Sequence, residues 1–224
     1  MKFVIVHFNT PELTACLCGS IRKFHPEAEI VIFDNSDKKP FVNSEIFCDF
    51  YYDNTTGQLL DFTKEFSGLP IVERNWKMNK CGSAKHCRTV QWLFDNITDD
   101  EFVLLDSDVL LTRKFDFLNS DFICSATYEV FSGMKNRFLP FVTYFNLKKI
   151  KENGIRYFDE KRMNGLSKFG GPYDTGASFL EDVVKKKLPY KNINYKNYLV
   201  HFRNGSWGNK DYKTWLIQNK KYWF

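Results

Sequence analysis

Asp106 and Asp108, with Ser107 between them, form the triplet whose chemistry is most legible in the chain. The apolar run Phe102-Val103-Leu104-Leu105 leads straight into it, so two carboxylates emerge together from the end of a buried strand. Carboxylates placed this way hold a divalent cation, which neutralises the negative charge building on a departing phosphate. A D-x-D triplet also recurs by chance, and in a plain turn its carboxylates merely cap the next segment. Its position after a long βαβ-type stretch gives this one weight.

A second group of residues supplies what such a site lacks. His201 leaves the apolar run Tyr198-Leu199-Val200 and enters Phe202-Arg203-Asn204-Gly205. A histidine at that position is a good third metal ligand, because a glycine-containing loop can bend around the ion. Gly205 would let the backbone approach a phosphate, and Arg203 could pair with one. Gly82-Ser83-Ala84 opens a helix followed by Lys85, His86 and Arg88, donors suited to phosphate or sugar hydroxyls, His86 before Arg88. Asp174, ahead of another helix, is either an N-cap or a base able to deprotonate a hydroxyl, with Glu181 and Asp182 as rivals.

The elements that must position these residues can be read from the pattern. Phe3 to Phe8 reads as a buried strand, and Thr10-Pro11-Glu12 as a strong helix start. The helix carries Leu13, Cys16, Leu17 and Ile21 on one face and ends near His25-Pro26. Ile30 to Phe33 is a second buried strand, ended by Asp34-Asn35-Ser36. Together these make a βαβ unit, whose ligands bind beyond the carboxyl ends of the strands. Further strands are predicted at Cys48–Tyr52, Ile71–Arg74, Phe102–Leu105, Phe122–Ala126 and Tyr198–Val200. Helices are predicted from Ser83 to Asn96, from Leu147 to Asn153, and from Asp174 or Thr175 through Val184. The rest of Phe131 to Gly171 reads as irregular.

At 224 residues the chain suits one α/β domain, and 43% hydrophobic with 26% charged residues is an ordinary globular balance. Aromatic residues are abundant at 17%, which suits a ring-filled core or a cleft that stacks bases and sugars. The net charge of +5 comes without an arginine-rich block or a nucleic-acid motif, so nucleic acid is not expected as a partner. Six cysteines without CxxC or zinc spacing predict free, buried thiols. No leader or membrane span is apparent, and a cytoplasmic protein is expected. The tail from Tyr212 to Phe224 mixes lysines with aromatic rings. It predicts either a docked terminal helix or peripheral contact with the anionic inner face of a membrane.

The order of these parts resembles that of the GT-A glycosyltransferases. Val31-Ile32-Phe33-Asp34-Asn35-Ser36 looks like their nucleoside-binding half, and Leu104-Leu105-Asp106-Ser107-Asp108-Val109 resembles their D-x-D segment. His201-Phe202-Arg203-Asn204-Gly205 resembles the C-terminal histidine-x-x-glycine segment of the glycogenin-like enzymes, without the lysine-proline pair that comes after theirs. The resemblance implies a single domain over 1–224, with a nucleotide-binding half over 1–108 and an acceptor half with the metal-ligand histidine over 109–224. It implies a mixed, mostly parallel sheet flanked by helices. His7, Phe8 and Asn9 would line the nucleoside pocket, and Asp34 would contact the base, commonly uracil. Asp106 would touch the ribose or the metal, and Asp108 and His201 would hold Mn²⁺ or Mg²⁺. The implied reaction moves a sugar from a nucleotide donor to a saccharide or lipid-linked acceptor, and Asp174 would serve as base if configuration inverts.

Other classes fit less well. Phosphatases of the haloacid-dehalogenase type place their D-x-D near the chain start and a Thr or Val where Leu110 stands here. Sugar nucleotidyltransferases need a glycine-rich basic loop after the first strand, and His7-Phe8-Asn9-Thr10 offers none. The alternative outside enzymes is a non-catalytic GT-A relative that binds nucleotide or carbohydrate.

Overall fold

Strands with both faces buried fix this architecture. In Lys2–His7 every residue after Lys2 is buried, and in Glu29–Asp34 every residue after Glu29, as in central parallel strands covered on both sides. The computed structural model describes residues 1–42, 44–68, 82–131, 134–162, 174–202 and 211–224. The strand predicted at Ile71–Arg74 lies outside the described residues, as do Cys81, Arg203 and Gly205.

In chain order the elements begin β1 (Lys2–His7), α1 (Pro11–Phe24), β2 (Glu29–Asp34), α2 (Ser44–Phe47), β3 (Phe50–Asp53) and α3 (Phe62–Glu65). Next come α4 (Gly82–Asn96), β4 (Glu101–Asp106), β5 (Val109–Leu111), β6 (Cys124–Phe131), β7 (Met134–Asn146) and α5 (Leu147–Glu152). Last are α6 (Ala177–Lys185), β8 (Lys191–Asn192), β9 (Leu199–His201) and α7 (Tyr212–Gln218). The main sheet is seven-stranded, mixed and mostly parallel, and a two-stranded sheet pairs β5 with β9. The chain forms two compact units: Met1–Leu59 with Phe102–Leu118 and Asn194–Phe224, and Leu60–Glu101 with Asn119–Ile193.

The first unit orders its strands β3-β2-β1-β4, all parallel. The register sets Val6 beside Asp106 and His7 beside Asp34, so the polar strand ends share one edge. Pro11 opens α1, where its missing N–H costs nothing, and Leu13, Leu17, Cys18 and Ile21 are buried. Phe3, His25 and Phe115 stack in this core, with centroids 4.7 to 5.8 Å apart. The C-terminal segment docks on α1: Lys23 Nζ donates to the carbonyls of Lys221 and Phe224, at 2.7 and 2.8 Å. A Cβ on Gly19 would meet the Trp223 carbonyl oxygen at 2.8 Å, so glycine there permits the close approach. The docked reading of the tail therefore holds, although Ile217 and Phe224 remain 73% and 80% exposed.

The second unit pairs β6 antiparallel with β7 and parallel with β8. Here the structure departs from expectation, since Phe131 to Gly171 includes the 13-residue strand β7. Pro140 and a broken alternation hid it. Ala126 pairs with Thr143 and Tyr128 with Phe138, so residues 139–142 bulge out opposite Thr127 and absorb the missing N–H of Pro140. Phe94, Phe145, Tyr157 and Phe179 form a ring cluster with centroids 5.0 to 6.1 Å apart. Much of the aromatic content is thus core. Helix α6 begins at Ala177, not at Asp174 or Thr175, because Gly176 takes the cap with φ 77°.

Candidate active site

The two-stranded sheet assembles the centre of the site. Val109 pairs with His201, Thr112 N donates to Tyr198 O at 2.8 Å, and Phe202 N donates to Asp108 O at 2.8 Å. These bonds dock β9 on the segment after the aspartate triplet. They bring His201 Nε2 to 3.3 Å from Asp108 Oδ1, with both side chains at most 10% exposed. Two donors about 2.1 Å from one octahedral ion and at right angles to each other sit about 3 Å apart. The observed spacing is one that two donors to a single divalent ion could have, and the imidazole suits a transition ion better than Mg²⁺, which prefers oxygen donors. Among the described residues no group of three or more potential metal-ligating side chains is gathered. Asp106, half-buried at the end of β4, is thus not drawn into a cluster with Asp108 and His201.

The residues expected around a nucleoside line the same edge, and most turn inward to their own loop. Asp34 is fully buried. Its Oδ1 accepts from Ser36 N at 2.8 Å, and its Oδ2 from Phe41 N at 2.7 Å and Tyr51 Oη at 2.8 Å. Asn9 sits at φ 56°, a left-handed conformation asparagine tolerates better than most residues. Its amide oxygen accepts from Lys38 N and Lys39 N at 3.0 and 2.9 Å, and its Nδ2 donates to Asp37 at 2.6 Å. His7 is also fully buried. Its Nε2 faces the Lys39 carbonyl at 3.3 Å and must donate, so Nδ1 accepts from the Thr14 hydroxyl at 2.7 Å. Burial lowers the His7 pKa and favours that neutral form. These three side chains fold residues 35–41 onto the carboxyl edge of β1 and β2. Phe8, half-exposed at the end of β1, is the one of the four expected residues whose side chain has no such contact.

A tie that the motif reading missed joins this edge to the aspartates. Thr10 Oγ1 lies 3.0 Å from Ser107 Oγ, and both residues are buried. Nothing in the spacing announced it, because Thr10 reads as an ordinary helix cap.

The remaining predicted residues belong to the second unit. Lys85 Nζ lies 5.5 Å from the Phe62 ring centroid, and Arg88 forms a two-point pair with Glu65 at 2.9 and 3.1 Å. That pair gives Arg88 a bracing role between α3 and α4. His86 lies half-buried one residue past Lys85. Asp174 receives Arg137, which also holds Glu129, and its Oδ1 accepts from Thr175 N at 2.7 Å. Asp182 is held by Arg162 at 2.8 Å through both oxygens, with Glu181 at 3.5 Å from the same guanidinium and Asp159 at 2.7 Å. The described cysteines are free, and burial pushes the Cys16 and Cys48 thiols up to about 11.

No protein-family model matches the chain, and no curated protein matches it in sequence. Its backbone does have solved counterparts. It is similar to mouse xyloside xylosyltransferase 1, at 12% identity over 87% of this chain and 86% of that one, with a TM-score of 0.53. It is similar to the glycosyltransferase GlyE of Streptococcus pneumoniae TIGR4, at 14% identity over 98% of this chain and 49% of that one, with a TM-score of 0.51. The chain has the GT-A fold. A third counterpart is the galactosyltransferase LgtC in complex with donor and acceptor sugar analogues, at 17% identity over 88% and 74% of the two chains and a TM-score of 0.47. At these identities the likeness speaks for the fold alone, and the chain spans about half the length of GlyE. Within this GT-A fold the aspartate triplet closes β4 at the carboxyl edge, where open α/β sheets bind their ligands.

Proposed function

We propose that the chain is a metal-dependent glycosyltransferase that moves a sugar from a nucleotide-linked donor, UDP-linked in the first instance, to a saccharide or lipid-linked acceptor. The observation that carries this reading is the contact of Asp108 with His201, 3.3 Å apart at the end of a GT-A sheet. A divalent ion there would be held by Asp108 and His201, with Asp106 reaching the ribose or the ion, and would supply Lewis-acid charge for the departing diphosphate. Two protein donors leave most of an octahedral shell to phosphate oxygens and water, as suits a cation that arrives with its nucleotide.

The chain's own residues do the rest. The clamp formed by His7, Asn9 and Asp34 presents Phe8 and the main chain of residues 35–41 as a preordered wall for the nucleoside. Lys85 and His86 supply donor contacts, as do Arg203 and Gly205. For an inverting transfer Asp174 takes the proton of the acceptor hydroxyl, released for that purpose from Arg137. A lipid-linked acceptor is favoured by Ile217 and Phe224, exposed beside Lys213, Lys220 and Lys221, which suits a cytoplasmic enzyme working at the inner membrane face.

Calorimetric titration with UDP, GDP and CMP, each with and without Mn²⁺, tests the donor class. Metal-dependent binding of one nucleotide supports the reading. Absence of binding by all three moves it to a non-catalytic GT-A relative.

A further inference from the structure

Thr10 occupies the residue before α1, where a threonine side chain ordinarily accepts from the second or third helical N–H. It makes no such bond. The helix already starts well, since Pro11 has no N–H to satisfy and Thr14 N donates to Thr10 O at 3.0 Å. The Thr10 hydroxyl instead reaches Ser107, the residue between the two aspartates, at 3.0 Å. Thr10 is 9% exposed and Ser107 4%, and among the described residues neither hydroxyl has another partner. A buried hydroxyl left without its bond is costly, so each side chain holds the other in place.

The register explains why this bond reaches the site. Val6 stands beside Asp106, so the turn after β1 and the turn after β4 emerge next to one another. Ser107 is buried against the first turn, and the carboxylates on either side of it are carried by the same short stretch of backbone. A shift of Ser107 moves Asp108, whose carbonyl receives Phe202 N and whose carboxylate faces His201. The first turn also contains Asn9, which clamps residues 36–39. One hydroxyl pair thus joins the nucleoside edge to the metal edge.

We infer that Thr10 is a positioning residue for the aspartate triplet, setting the affinity for the metal–nucleotide pair through its hydroxyl bond to Ser107. This rests on the glycosyltransferase reading, whose metal is held by Asp108. Binding of UDP with Mn²⁺ is measured by calorimetry on the wild type, Thr10→Val, Thr10→Ser, Ser107→Ala and the double variant Thr10→Val/Ser107→Ala, beside thermal melting of each. The inference predicts that Thr10→Val and Ser107→Ala each weaken Mn²⁺-dependent UDP binding about 3- to 10-fold, the size of one lost neutral hydrogen bond. It predicts that the double variant is no weaker than the worse single one, because both changes remove the same bond, and that Thr10→Ser stays within about 2-fold of wild type. Melting shifts with unchanged UDP affinity would make the bond merely structural and overturn the inference, leaving the glycosyltransferase reading intact. If Thr10→Val fails to fold, Ser107→Ala decides alone by the same criterion. A wild type that binds neither Mn²⁺ nor UDP overturns both.

Discussion

Asp108 meets His201 because β5 and β9 pair with Val109 opposite His201, so a carboxylate and an imidazole distant in sequence face each other at 3.3 Å. Main-chain bonds bring these two residues together. Substituting either side chain therefore removes a donor without removing the bonds that hold the strands. His201→Ala should leave the urea midpoint within about 0.5 M of wild type while abolishing Mn²⁺-stimulated turnover, and circular dichroism beside a UDP-release assay measures both.

Asp174 provides a separate test of stereochemistry. If it is the base of an inverting transfer, Asp174→Asn should lower kcat about 10²- to 10⁴-fold while leaving the UDP dissociation constant unchanged. Steady-state kinetics beside calorimetry separates the two effects. An equal loss in binding would assign Asp174 to the fold, through Arg137 and Glu129.

Gly176→Ala should be severely destabilising. The position has φ 77°, and an added Cβ would stand 2.4 Å from the Phe138 carbonyl oxygen, which is main chain and has little room to yield. A loss of about 2–4 kcal/mol is expected from the combined backbone strain and overpacking. Urea denaturation measures it.

Buried His25 makes stability depend on pH. Its Nε2 accepts from Phe115 N at 3.1 Å, so the neutral ring is the one the fold uses. Burial, with Lys114 nearby, lowers its pKa from 6.5 to about 4. Between these values the unfolded chain binds a proton that the folded chain does not, so stability rises with pH. The contribution is fully present above about pH 6.5 and is lost as pH falls towards 4, by up to about 3 kcal/mol. His7, also lowered by burial, acts in the same direction. Urea midpoints at pH 7 and 4.5 should differ less for His25→Gln, whose amide oxygen can still accept from Phe115 N.

The parts legible in the sequence were those fixed by local pattern. Strands β1, β2 and β4, the start of α1 at Pro11 and the position of Asp106 at a strand end all derive from apolar runs and capping residues. Strand β7 was not legible, since Pro140 and its bulge break the alternation that announces a strand. The polar cluster of His7, Asn9 and Asp34 was found, but a residue at a strand end reads the same whether it faces a ligand or its own loop. The contacts to Lys38, Lys39, Phe41 and Tyr51 come from the folding of residues 35–41 and of β3 against that edge, which no local pattern announces. The Thr10–Ser107 bond lay beyond sequence reasoning, because it depends on the side-by-side register of β1 and β4.

If Asp108 and His201 hold the divalent ion that arrives with the nucleotide, as proposed, electron paramagnetic resonance of Mn²⁺ should report it. Free Mn²⁺ is titrated into wild type, Asp108→Ala and His201→Ala, each with and without UDP. One tightly bound Mn²⁺ per chain is expected in the presence of UDP, weakened about 10- to 100-fold or more in each variant. Equal Mn²⁺ binding by wild type and both variants, with folded proteins throughout, would contradict it.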